Sequence, residues 1–162
     1  MFGFLKSLFS RAQGPALPPP RFTAADLTRR LGMSEAELAR VEVAYKPFQV
    51  PKRAGGMRTI HAPVAPLMTV QRRILRRLLR RLRAHPNVTG FERGHSIVTN
   101  ALPHVGKDVV IRLDLVSFFP SISADRVERY FRFIGYDGEA ATILTRLCTH
   151  KGALPHQFSN QI

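Results

Sequence analysis

Apolar residues along the middle of the chain recur with the period of a helix. They return every three or four positions between residues 67 and 84, which is the spacing of one helix face. The stripe consists of Leu67, Val70, Ile74, Leu75, Leu78, Leu79 and Leu82. Pro86 follows, and proline cannot continue a helix. The pattern therefore predicts one continuous helix over residues 67–84.

Shorter helices are predicted on either side of this one. Thr23 precedes Asp26, and Ser34 precedes Glu37, at the spacing where a hydroxyl and a carboxylate cap a helix start reciprocally. Helices are expected at about residues 24–31 and 35–43. Later in the chain, residues 124–133 and 139–149 are also predicted to be helical.

A hairpin is predicted between these helices. Residues 45–50 and 57–61 are expected to be extended, and Ala54, Gly55 and Gly56 form the turn between them. Basic residues crowd its tip: Lys52, Arg53 and Arg58.

Residues 109–115 form a nearly continuous apolar run, which predicts a buried strand. Asp114 lies at its end, and residues 118–122 turn the chain. A buried, unpaired carboxylate is costly unless it binds a cation, so Asp114 is a candidate metal ligand. The alternative is that Asp114 pairs with Arg112 or caps the turn.

The N-terminal segment, the length of the apolar runs and the single cysteine indicate where in the cell the protein is expected. Residues 1–11 are expected to form an amphipathic helix that docks on the body, with membrane attachment as the alternative. A linker rich in proline follows, and no apolar run approaches the roughly 18 residues of a membrane span. Cys148 lies in an apolar stretch and is expected in the core, which fits a reducing cytoplasm.

The charge of the chain is strongly positive. Its 25 Lys and Arg residues against 11 acidic residues give a net charge of +14 and a pI near 11.4, which favours a partner that carries phosphates. An anionic membrane surface is the second choice, and genomic composition bias is the neutral explanation. Seven arginines lie on the predicted long helix: Arg72, Arg73, Arg76, Arg77, Arg80, Arg81 and Arg83. Because like charges this close repel, contact of part of this face with an RNA or DNA backbone is favoured over a merely solvated face.

Four blocks, in order, resemble the retron and group II intron reverse transcriptases. The first is the hairpin of residues 46–60, and the second is residues 71–75, beginning Gln-Arg and ending Ile-Leu. The third is residues 90–96, followed by Asn100-Ala101 and His104; the fourth is residues 113–122. The resemblance covers about residues 27–154.

This resemblance implies an α/β fold in the mixed α+β sense, with the fingers and the beginning of the palm of a right-hand polymerase. The expected divisions are an amphipathic helix at 1–12, a Pro-rich linker at 13–22, fingers at 23–108 and a partial palm at 109–162.

The resemblance also implies an RNA-directed DNA polymerase that extends a primer 3′-hydroxyl with deoxynucleoside triphosphates on an RNA template. Asp114 would be the first metal-binding aspartate and catalytic carboxylate, and the Leu115 carbonyl a neighbouring ligand. Two Mg²⁺ ions about 4 Å apart would serve the reaction.

Further positions acquire roles from the same resemblance. Phe119 would lie against the sugar of the incoming nucleotide and exclude a 2′-hydroxyl. The alternative is that Phe118 and Phe119 are both plain core residues. One of the two rings is expected to pack inward. The nucleotide-binding set is Lys52, Arg53, Arg58, Ser117 and Phe119. The nucleic-acid-binding set is Arg72, Arg73, Arg76, Arg77, Arg80, Gly94, His95 and Ser96.

The family pattern breaks near the C-terminus. Residues 151–155 begin a block that relatives continue, the following residues depart from it, and no Tyr-x-Asp-Asp run is present. The expectation is therefore a chain that is inactive alone, whether a fragment, a frameshifted product or one half of a split enzyme with a missing C-terminal partner. The alternative function is a basic RNA-binding module without catalysis.

Overall fold

The computed structural model of the chain describes residues 16–52, 55–82, 85–90 and 94–155. The elements are α1 (Ala24–Leu31), α2 (Glu35–Arg40), β1 (Tyr45–Pro51), β2 (Met57–Pro63), α3 (Ala65–Ile74) with a following π-helical turn (Leu75–Leu79), α4 (Ile97–Ala101) with a 3₁₀ turn (Leu102–His104), α5 (Ala124–Phe133) and α6 (Gly138–Cys148). The mixed helix-and-strand class is confirmed. The helix predicted for residues 1–11 lies outside the described residues.

Both predicted capping boxes are present. The Thr23 hydroxyl accepts from the Asp26 N–H at 3.2 Å, and the Asp26 carboxylate accepts from the Thr23 N–H at 3.0 Å. Ser34 and Glu37 form the same pair of bonds at 3.2 and 2.6 Å. These backbone bonds lower the pKa of both carboxyl groups. Both helices begin where the capping boxes predict. Helix α1 also ends as predicted, whereas α2 ends at Arg40, three residues early.

Helices α1, α3, α5 and α6 enclose the hydrophobic core. Its buried side chains are Leu27, Leu31, Leu38, Leu67, Val70, Ile74, Leu78, Val127, Phe131, Tyr136, Ala140, Ala141, Leu144 and Leu147. Four of these, Leu67, Val70, Ile74 and Leu78, belong to the predicted apolar stripe, and Leu79 packs against them. Leu82 is exposed, so the stripe is confirmed only in part. Cys148 packs against the same core, and burial raises the pKa of its thiol to about 12.

The long helix is not uniform. It is α-helical only as far as Ile74 and then widens into the π-turn, which the Arg80 N–H closes by donating to the Leu75 carbonyl five residues earlier, at 2.8 Å. The chain leaves the helix at Arg80, and residues 83–84 lie outside the described part. A single regular helix was therefore the wrong expectation, because the apolar spacing does not distinguish a π-turn from an α-helical one.

Strands β1 and β2 form the predicted antiparallel hairpin. Phe48 pairs with Ile60 and Val50 with Arg58, while Gly55 and Gly56 take the positive φ angles of 88° and 77° that the tight turn requires. A lone hairpin is only marginally stable in water. Contacts with the helices therefore have to hold this one.

Gln71 of α3 provides such a contact. Its side-chain amide donates to the Tyr45 hydroxyl of β1 at 2.9 Å and to the Leu147 carbonyl of α6 at 2.8 Å. Beside it, the His150 ring packs against Tyr45 and His61, with ring centroids 4.6 and 5.6 Å apart. One amide and one imidazole thus connect the hairpin to the last helix.

Acid is expected to weaken this junction. Burial, and then the nearby His61 and Lys151, lower the pKa of His150, so the unfolded chain binds its proton more readily than the folded chain does. The free energy of unfolding should therefore fall as pH drops below about 6.5, the ordinary histidine value. Urea midpoints at about pH 7.5 and about pH 5 measure this fall.

The control for the acid effect is His150→Gln, which cannot take up a proton. Its stability should change less between the two pH values. The carboxylates Asp26 and Glu37 also lose stabilising bonds in acid, but with lowered pKa values they titrate below this window. An equal loss in the variant and the parent chain would contradict the assignment to His150.

The buried strand predicted for residues 109–115 is wrong. The structure gives this segment no strand, and its side chains are exposed: 75% for Val109, 78% for Ile111 and 87% for Leu113. A strand exists only with a hydrogen-bonded neighbour, and within the described ranges the one sheet is the hairpin, whose strands pair with each other. The apolar run therefore has no partner in this part of the molecule.

No helix in the described ranges combines the length and apolar character needed to cross a membrane.

Candidate nucleotide and nucleic-acid site

The segment after the apolar run is a tightly bonded turn. Within it, the Ser121 N–H donates to the Ser117 carbonyl at 3.0 Å, and the Ser121 hydroxyl donates to the Phe118 carbonyl at 2.7 Å. The Ile122 N–H donates to Phe119 at 3.0 Å. Ser117 has a φ of 51°, a left-handed conformation that costs a residue with a side chain about 1–3 kcal/mol. Such strain is concentrated at functional sites.

Asp114 precedes this turn and is exposed, as is Leu115. The expectation that Asp114 is a buried carboxylate is therefore wrong, because no strand partner covers the segment. Among the described residues no ion pair joins Asp114 to Arg112, so that alternative is not seen either. The carboxylate is open to an incoming ligand.

The oxygen ligands that Asp114 and Leu115 offer are of the kind that Mg²⁺ prefers, but they are too few to hold the ion. A carboxylate and a carbonyl oxygen are the hard ligands that Mg²⁺ prefers. In the part of the chain that the structure describes, however, no three His, Cys, Asp or Glu residues converge to hold a metal. These residues form an incomplete ligand set.

Phe118 and Phe119 are both partly exposed, at 47% and 39%. Their rings meet edge to face, with centroids 5.4 Å apart and planes at 68°. The expectation that one ring packs inward is wrong, and so is the alternative that both belong to the core. Each ring offers an accessible surface.

Two basic residues of the hairpin tip, Lys52 and Arg58, are exposed. The Lys52 N–H donates to the Gly56 carbonyl at 3.0 Å, which continues the register of the hairpin beyond Pro51. Because paired residues share a face, Lys52 and Arg58 lie on the same face as Val50. Arg53 lies outside the described residues.

Helix α4, which the apolar pattern of the sequence does not predict, is preceded by Gly94, His95 and Ser96. Ser96 caps it: its hydroxyl accepts from the Thr99 N–H at 3.2 Å, and Thr99 accepts from the Ser96 N–H at 2.7 Å. Gly94 has a φ of 83°, and His95 is exposed. The Ser96–Thr99 spacing was the signal that could have revealed the helix.

The arginines of the long helix divide into two groups. Arg73 and Arg77 donate at 3.3 Å to the carbonyls of Gly32 and Arg30, at the C-terminal end of α1. Cations are favourable there because the last carbonyls of a helix lack partners. Four others are exposed and make no side-chain hydrogen bond or ion pair with any described residue: Arg72, Arg76, Arg80 and Arg81.

Arg146 of α6 repeats the first arrangement. Its guanidinium donates to the carbonyls of Leu38 and Val41, at the end of α2, at 2.7 and 3.0 Å. Part of the high positive charge therefore stabilises helix ends within the fold. The net charge alone therefore overstates how many cations are available to contact a partner.

Similar proteins identify the class. The chain is 39% identical over 141 residues to the retron Mx65 reverse transcriptase of Myxococcus xanthus, a match that covers 82% of the chain. It is 37% identical over 113 residues to the retron Ec86 reverse transcriptase of Escherichia coli, covering 68% of the chain. The retron Mx162 reverse transcriptase of Myxococcus xanthus is 36% identical over 148 residues, covering 86%. No protein-family model matches.

These relatives are reverse transcriptases, that is, RNA-directed DNA polymerases. Over the region that it spans, the chain is a retron reverse transcriptase-like sequence. The matched regions make up 33%, 35% and 30% of the three relatives, so the chain spans about a third of their length.

Proposed function

We propose that the chain supplies part of the catalytic apparatus of an RNA-directed DNA polymerase, which adds deoxynucleotides to a primer 3′-hydroxyl on an RNA template. The observation that carries this proposal is the similarity to retron reverse transcriptases over 68–86% of the chain. The exposed Asp114 and the strained turn after it add support from the chain itself.

We assign Asp114 and the Leu115 carbonyl to the metal site of this polymerase. Bound Mg²⁺ would supply charge neutralisation for the reacting phosphate. Because no three metal-binding side chains converge among the described residues, further ligands would come from elsewhere in the complete enzyme. The part played by Asp114 is to contribute a negative charge at an open position on the chain.

We assign the exposed cations of the hairpin tip, Lys52 and Arg58 with neighbouring Arg53, to the triphosphate of the incoming nucleotide. Ammonium and guanidinium groups form strong, charge-assisted hydrogen bonds with phosphate oxygens. Ser117 belongs to the same nucleotide site through its position between Asp114 and Phe119.

Gly94, His95 and Ser96 are assigned to the template. The Ser96 hydroxyl already caps α4, so the accessible contribution from this loop is its backbone and the exposed His95 ring. Polar backbone groups contact phosphate and sugar without reading the base sequence.

In structural terms, we assign residues 23–108 to the fingers and residues 109–162 to the first part of the palm. The core crosses this division, because α1 and α3 pack with α5 and α6. These two functional regions are therefore expected to unfold together in this chain.

Phe119 is assigned to the selection of deoxynucleotides, because a ring beside the sugar leaves no space for a 2′-hydroxyl. The test uses a chimaera in which this chain replaces the matching third of the retron Mx65 reverse transcriptase. Phe119→Ala should lower the ratio of kcat/KM for deoxynucleotides to that for ribonucleotides by about tenfold to a hundredfold.

Phe118→Ala is the matched control, since the two rings are neighbours and similarly exposed. It should leave that ratio nearly unchanged. An equal effect of the two substitutions would mean that Phe119 has no special position at the sugar.

The second candidate function is a basic RNA-binding module without catalysis, favoured by the exposed arginines of the long helix. The 162-residue chain alone is expected to bind RNA with an affinity that falls steeply with salt, under both proposals. Incorporation of deoxynucleotides by the chimaera separates them. A folded chimaera that binds RNA without incorporation would favour the binding module.

A further inference from the structure

The arginines of the long helix are not equivalent, although they look alike in the sequence. Arg73 and Arg77 are held against the end of α1 by their bonds to Gly32 and Arg30. The fit is close: a Cβ added to Gly32 would lie 2.7 Å from the Arg77 Nη1. These two guanidinium groups are therefore used within the fold.

Three exposed members of the face, Arg72, Arg76 and Arg80, follow one another at intervals of four residues. In a regular α-helix this interval drifts around the axis, by about 40° per step and about 80° over both steps. Arg80 would then point well away from Arg72, and the three would not form a straight row.

The π-turn corrects this drift. It spans Leu75–Leu79, between the first and last of the three arginines, and each of its residues advances less around the axis because its hydrogen bonds close over five residues. The step from Arg76 to Arg80 therefore rotates back around the helix axis, toward the direction of Arg72. Arg72, Arg76 and Arg80 come close to one side of the helix, in steps of about 6 Å or less.

A straight row of cations at this interval fits a polyanion with regularly repeated charge. Steps of this size are on the order of the distance between neighbouring phosphates on an extended nucleic-acid strand. The like charges also repel when no anion is present, and the described residues place no carboxylate against them. An RNA strand would supply the regularly repeated negative charge and would also relieve the repulsion between the arginines.

We propose that Arg72, Arg76 and Arg80 form a phosphate-binding row that follows one strand of RNA, aligned by the π-turn, while Arg73 and Arg77 take no part in binding. This inference rests on the proposed RNA-directed function and divides the predicted basic face into a binding row and a structural pair. Arg81, exposed but one position beyond the row, is turned away from it by about a quarter of a circle.

The test is the salt dependence of binding of the 162-residue chain to a fluorescently labelled single-stranded oligoribonucleotide. Each of Arg72→Gln, Arg76→Gln and Arg80→Gln should lower the slope of log K against log salt by about 0.7, and the triple variant by about 2. Arg81→Gln should change the slope by less than half as much as Arg80→Gln.

Arg73→Gln and Arg77→Gln complete the design. They should lower the urea midpoint and leave the salt slope unchanged, whereas the row variants should not lower the midpoint, because each removes one of the charges that repel. A slope that falls equally for Arg80→Gln and Arg81→Gln, or that is unaltered in the triple variant, would overturn the row. So would a triple variant that loses binding to vesicles containing phosphatidylserine while keeping its RNA slope.

The failure of the row is distinguishable from the failure of the proposed function. If the unaltered chain binds RNA with a steep salt slope and only the row variants behave unexpectedly, the row is wrong and RNA binding stands. If the unaltered chain shows no salt-dependent RNA binding, both are wrong.

Discussion

Replacing Asp114 by asparagine in the Mx65 chimaera is expected to lower the rate of deoxynucleotide incorporation by about three orders of magnitude. The substitution removes a negative charge while it preserves the size of the side chain. Loss of a ligand from a metal site that stabilises the transition state costs several kcal/mol, and about 1.4 kcal/mol corresponds to a factor of ten. Single-turnover incorporation on an RNA template measures the effect.

Asp108→Asn is the matched control, because Asp108 is also exposed and lies only six residues away. Its rate should stay within about twofold of the parent chimaera, since surface substitutions usually have small effects. Stability should not separate the two variants, because neither carboxylate makes an ion pair with a described residue. Equal rates for the two variants would remove Asp114 from the proposed metal site.

Replacing Leu144 by alanine is expected to lower the free energy of unfolding of the chain by about 2–5 kcal/mol. Leu144 is fully buried in α6, at the centre of the core that joins α1, α3 and α5. The change removes buried surface and leaves a cavity that the surrounding helices fill only in part. This is a large share of the stability of an ordinary domain, about 5–15 kcal/mol. Urea unfolding followed by circular dichroism measures the loss.

Leu113→Ala makes the same chemical change in the apolar run before the turn, where the side chain is 87% exposed. The structure predicts almost no loss of stability there. If Leu113→Ala were as destabilising as Leu144→Ala, the exposed state of residues 109–115 would be incorrect and the predicted buried strand would regain support.

Local features of the fold were predictable from the sequence because their causes are local. Capping residues a few positions apart specify the starts of α1 and α2, and two glycines at the turn specify the hairpin. The apolar stripe of α3 also identified the face that the core buries. Helix α4 was missed because five residues are too few to show a period, although Ser96 and Thr99 carried the capping signal.

The features that were not predictable depend on distant parts of the molecule. An apolar run such as residues 109–115 becomes a strand only beside another strand, and its sequence does not contain that neighbour. Likewise, Arg73 and Arg76 are indistinguishable until the end of α1 is placed beside one of them. The roles proposed for Asp114 and Phe119 rest on resemblance, and the structure contributes the exposure of both residues and the strained turn between them.

The proposed function requires that this chain can serve as the corresponding region of a retron reverse transcriptase. The most direct measurement is primer extension on an RNA template by the unaltered Mx65 chimaera, with deoxynucleotides and Mg²⁺. We expect incorporation that depends on Asp114, whereas the 162-residue chain by itself should incorporate nothing. A chimaera that folds and binds RNA but extends no primer would contradict the proposed function.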